Sequence, residues 1–104
     1  MATPEPTVRA TRYTVSLLPE SDINYRNHAV NVEFRGPMLG GGELWIVEHL
    51  GAQLHPDGSW REHDYYGWPD EESALAAARR GVHAARVNTL TTAEWQQRWE
   101  ADRG

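Results

Sequence analysis

Between Ser59 and Ser73 the chain reads SWREHDYYGWPDEES, where carboxylates (Glu62, Asp64, Asp70, Glu71, Glu72), one histidine (His63) and four aromatic rings (Trp60, Tyr65, Tyr66, Trp68) alternate closely. Side chains of these types can hold a metal, move a proton or grip another macromolecule. His49, His55 and His63, with Glu48, Glu62 and Asp64, supply nitrogen and oxygen donors for a metal. A zinc site needs such donors to converge at about 2.0–2.2 Å, and no HxH or HExxH spacing enforces that convergence here. The chain has no cysteine, so disulfides, thiol catalysis and Fe–S clusters are excluded. A serine or threonine nucleophile would need a positioned base, and neither GxSxG nor a triad spacing occurs. The Gly40–Gly42 run lacks the Lys-Ser/Thr of a phosphate loop and precedes a strand instead of a helix. These residues point to no catalytic group, metal ligand set or cofactor.

Gripping a macromolecule fits the same residues better. Five tryptophans in 104 residues is a high density. Tryptophan and tyrosine are enriched at protein interfaces because each combines a large contact area with few rotamers. Residues 57–72 hold six carboxylates (Asp57, Glu62, Asp64, Asp70, Glu71, Glu72) against Arg61 alone, a local charge of −5 that equals the charge of the whole chain. The sequence therefore predicts an aromatic-acidic surface made by Trp60, Glu62, Asp64, Tyr65, Tyr66 and Trp68, suited to a basic groove on a host or cellular protein. The alternative is that the aromatics simply close one end of the core. A different class of function, nucleic-acid binding, would need Arg12, Arg26, Arg35 and Arg61 to gather beside an exposed Tyr13 or Trp60. An acidic chain is a poor phosphate neutraliser, so nucleic acid is the less favoured partner.

Elements that could position these groups follow from periodicity. Residues 1–10 are proline-containing and aperiodic, and are expected to be a disordered tail before a single domain over 11–104. Tyr13, Val15 and Leu17 alternate with polar residues, as do Val30, Val32 and Phe34, so each segment reads as a half-buried strand. ELWIVEHL (43–50) is nearly continuously apolar and reads as the central strand, with Trp45 in the core. Gly51 marks a bend, and PDGS (56–59) is turn chemistry joining Ala52–His55 to Ser59–Glu62 as a hairpin. Asp70 is a candidate cap for a helix over ESALAAARRGVHAARV, whose buried face is made of small residues. Gly81 is costly inside that helix and implies either close packing or a weak point. Thr91 and Glu94 form a capping box for a last helix, with Leu90 and Trp95 placed as its hydrophobic staple and Glu94 set to pair with Arg98. Trp95 and Trp99 share one face of that helix and either dock it on the sheet or project as a pair, which would suit a homodimer seam.

The resulting fold class is α+β: an antiparallel sheet of three to four strands followed by two helices packed on one face. No apolar run reaches the roughly 20 residues of a membrane span, and MATPEPTVRATR lacks the apolar stretch of a secretory signal, so a cytoplasmic protein without a membrane partner is expected. Arginine supplies every Lys/Arg position, which suggests a GC-rich genome. Taken together, YTVSLLPE, the strand LWIV before a DGSW turn, the EESALAAARR helix and VNTLTTAEW resemble a group of short proteins from actinobacteria and their phages. The resemblance spans about residues 11–97 and implies no activity, because no function is established for that group. The functional expectation is a small non-enzymatic interaction or regulatory module.

Overall fold

The structure is a computed structural model and describes residues 5–87 and 90–103, the side chains at 99 and 101–103 excepted. Five strands, β1 (Arg12–Val15), β2 (Val30–Pro37), β3 (Glu43–His49), β4 (Ala52–Leu54) and β5 (Trp60–Glu62), form an antiparallel sheet in chain order. A one-turn helix, α1 (Tyr25–His28), precedes β2. After the sheet come α2 (Glu71–Gly81), a 3-10 turn (Val82–Ala84), a two-residue ribbon of β6 (Arg86–Val87) and β7 (Leu90–Thr91), and α3 (Thr92–Arg103). No described helix is long and apolar enough to cross a membrane.

The alternation read from sequence sets the sheet's two faces. Cross-strand pairs Tyr13/Val32, Val15/Val30, Val32/Val47, Phe34/Trp45 and Leu54/Trp60 place the apolar set together. Against that face lies α2, with Ala74, Ala77 and Ala78 buried. Small side chains let the helix come close: a Cβ on Gly81 would sit 2.6 Å from a methyl of Leu54. The expected close packing at Gly81 is what the structure shows. Asp70 caps α2 by accepting from the Ser73 N–H at 2.7 Å. Thr91 and Glu94 form the reciprocal box at α3, with Thr91 N–H donating to Glu94 and Glu94 N–H to the Thr91 hydroxyl.

The α+β class with an antiparallel sheet stands, but its inventory is larger than expected. The expected hairpin forms as β4 and β5, and it joins β3 through a tight two-residue turn at Leu50 (φ 47°) and Gly51 (φ 87°), where the sequence suggested only a bend. The second correction concerns the helices: α2 covers the sheet, whereas α3 packs mainly on the 3-10 turn and β7. Trp95 is half-buried, edge-on to His28 at 5.4 Å, so this ring docks α3 against α1. The alternatives drawn for the Trp99 side chain lie outside the described residues. Arg9, inside the stretch expected to be a tail, pairs with Glu43 through both guanidinium nitrogens (2.8 and 3.1 Å) and lies over the Phe34 ring at 4.3 Å.

Candidate functional site

The β4–β5 hairpin and the segment that follows it carry the residues singled out by sequence. The turn is set by Asp57, whose carboxylate accepts from the Ser59 N–H (2.9 Å) and hydroxyl (2.6 Å). Arg61 then spans Asp57 (2.7 Å) and Asp64 (3.2 Å). These Ser59 contacts, then the Arg61 hydrogen bond, hold the Asp57 carboxyl far below the usual carboxylate range.

Residues 63–67 cross the sheet face opposite α2. On β4, Ala52 and Leu54 point towards α2, so Gln53 and His55 point the other way. Both are nonetheless buried, at 3% and 7% exposure, His55 beneath Asp64 and Tyr66. His55 Nε2 is 2.6 Å from the Asp64 carbonyl, and since a carbonyl oxygen can only accept, that nitrogen is the N–H donor. Tyr66 sits between His55 (5.8 Å between ring centres) and Trp68 (4.9 Å, edge-on). Trp68 exchanges both backbone hydrogen bonds with Trp45 (2.9 and 2.7 Å), extending the sheet beside β3 beyond the end of β4.

The six predicted contact residues therefore divide. Trp60, Tyr66 and Trp68 turn inward: Trp60 is half-buried with its indole N–H on the Gly81 carbonyl (3.0 Å), Tyr66 is half-buried, and Trp68 is 8% exposed in the core. Glu62, Asp64 and Tyr65 face solvent, Tyr65 at 73% exposure. Of the remaining acids, Asp70 is spent as a cap and Glu71 accepts from the Tyr13 hydroxyl at 2.6 Å. That phenol is raised above its ordinary range by the Glu71 bond. Among the described residues, Glu62 and Tyr65 make no side-chain hydrogen bond or ion pair, so the outer side of the segment has groups left to offer.

The histidines and arginines are also dispersed. His49 Nε2 lies 2.7 Å from the Asn27 carbonyl, His55 holds the Asp64 carbonyl, and His63 is exposed with φ 59°. Among the described residues no three histidine or carboxylate groups converge as a metal site would require. Tyr13 and Trp60 lie on the α2 side of the sheet, while Arg12 and Arg61 point to the opposite side. Arg35 is paired with Glu33 (3.5 Å).

Sequence reasoning missed a cleft of about 420 Å³ between the hairpin and the β6–β7 ribbon, lined by His49, Ser59, Trp60, Glu62, Arg86 and Thr91 among others. The only local signal was that Trp60 and Glu62 share parity on β5; the ribbon that closes the far wall is two residues long on each side and has no readable period. No family model, curated protein or solved structure shows significant similarity to the chain.

Proposed function

We propose that the protein is a small non-enzymatic interaction module, an accessory regulator of actinobacterial or phage type, that binds a basic surface of a host or cellular protein in the cytoplasm. The contact is made by Glu62, Asp64 and Tyr65, with Trp60, Tyr66 and Trp68 acting as the rigid support beneath them. The observation that carries this reading is the division of the segment: Tyr65 is 73% exposed on a chain held from below by the His55–Asp64 hydrogen bond and the Trp45–Trp68 pairing. A large exposed aromatic costs little conformational entropy to immobilise when its backbone is already fixed, and flanking carboxylates select an arginine- or lysine-bearing partner. Arginine stacking on the phenol ring adds to that preference.

The test is affinity capture of the tagged protein from an actinobacterial lysate, with and without nuclease, beside the Tyr65→Ala variant. One stoichiometric protein, retained after nuclease and lost with Tyr65→Ala, is the expected result. Recovery of nucleic acid that is released by moderate salt would overturn the reading, since phosphate neutralisation is the salt-sensitive mode.

A further inference from the structure

The free edge of the sheet supplies a mode of binding that the exposed side chains alone do not specify. The β4–β5 hairpin pairs Leu54 with Trp60, Gln53 with Arg61 and Ala52 with Glu62, and its turn is closed by the His55 N–H donating to the Ser59 carbonyl (3.0 Å). In an antiparallel ladder, hydrogen-bonded and non-hydrogen-bonded pairs alternate. Ser59 and Arg61 therefore spend their backbone groups on β4, and the N–H and C=O of Trp60 and Glu62 point outward from the sheet. The β3–β4 turn gives the same phase independently: its closing pair His49/Ala52 is hydrogen-bonded, which turns the backbone of Gln53 towards Arg61. Since β5 is the last strand of the sheet, those outward groups have no partner among the described residues.

We propose that β5 accepts an extended, lysine- or arginine-bearing segment of the partner as a sixth antiparallel or parallel strand. This rests on the interaction reading above and deepens it by naming the mode and the partner's conformation. Main-chain hydrogen bonds to Trp60 and Glu62 supply the docking, and alternate side chains of the added strand supply the choice of partner. Those facing α2 enter the cleft of about 420 Å³ beside Trp60, Glu62 and Thr91; those on the opposite side pass Asp64. Charge selects the occupant. Glu62 and Asp64 flank the edge; Arg61, the nearest cation of the hairpin, is already held by Asp57 and Asp64, and Arg86 on the far wall of the cleft lies within the electrostatic reach of Glu94. A second copy of this chain is the poorer occupant, because pairing β5 antiparallel on β5 about its centre sets Arg61 against Arg61.

The experiment follows backbone amide exchange and chemical shifts of the isotope-labelled protein during titration with a short synthetic peptide alternating threonine with lysine, and with its glutamate counterpart. The lysine peptide is expected to slow exchange of the Trp60 and Glu62 amides at least about tenfold, to leave the already paired Arg61 amide unchanged, and to bind about tenfold more tightly than the glutamate peptide. Glu62→Pro, which removes an outward N–H and spares the β4–β5 ladder, is expected to abolish that protection. Glu62→Lys, which keeps the backbone, is expected to invert the peptide preference. Shifts confined to Tyr65 and Asp64, with no protection at Trp60 and Glu62, overturn strand addition and leave the acidic-surface reading standing. No response to either peptide also overturns strand addition, and the capture experiment decides the broader reading separately.

Discussion

Trp68 and Tyr65 are three residues apart in one segment and have opposite environments, 8% and 73% exposed. Truncating Trp68 to alanine is expected to cost about 3–5 kcal/mol, whereas Tyr65→Ala should stay within about 0.5 kcal/mol, as read by chemical denaturation. Residue types alone could not make this separation. Both are aromatics beside acids, and what distinguishes them is the pairing of Trp68 with Trp45, a contact between segments far apart in the chain. Glu43 is a second case that only the fold reveals. Its hydrogen bonds from Arg9, then from the Trp45 indole N–H, lower its carboxyl from 4.5 to about 2. A depressed folded-state value contributes stability that is complete above the unfolded value and disappears as pH falls from about 4.5 towards 2. Glu43→Gln is therefore expected to be less stable than the parent at neutral pH and to flatten the acid limb of the stability curve, with the two proteins converging at the lowest pH.

At the scale of elements, the signals that were legible are those with a short-range physical cause. The alternation of β1 and β2, the apolar run of β3, the PDGS hairpin, the Asp70 cap and the Thr91–Glu94 box all act within a few residues, and each forms as expected. The Leu50–Gly51 turn was hidden because a leucine occupies a left-handed position that asparagine or glycine normally fills. The placement of α3 depends on a histidine buried in α1, His28, which meets Trp95 across a long sequence separation. Burial holds that imidazole below its ordinary pKa, with His49 nearby acting in the same direction. Gly81 makes a prediction at this scale. Alanine would gain about 1 kcal/mol in helix propensity, but its Cβ would lie 2.6 Å from buried Leu54. Overpacking of this kind costs about 1–3 kcal/mol, so Gly81→Ala should lower the unfolding midpoint, and a rise would show that Leu54 has room to yield.

For the whole molecule, the division of labour within residues 57–72 is the main result. The local charge of −5 was legible, but its use was not. Asp57 shapes a turn, Asp70 caps a helix, Glu71 receives a tyrosine hydroxyl, and Glu62 has no partner among the described residues. The aromatics divide in the same way into support and surface. The central claim is that binding is separable from folding along this line, with Glu62, Asp64 and Tyr65 on one side and the inward-facing rings on the other. It is tested most directly by calorimetric titration of the captured partner against a triple variant, Glu62→Gln, Asp64→Asn and Tyr65→Ala, whose thermal unfolding is measured in parallel. The account predicts at least about a hundredfold loss of affinity, some 2.8 kcal/mol, with the unfolding midpoint nearly unchanged. Undiminished affinity in a variant that folds normally would contradict it and place the partner elsewhere on the molecule.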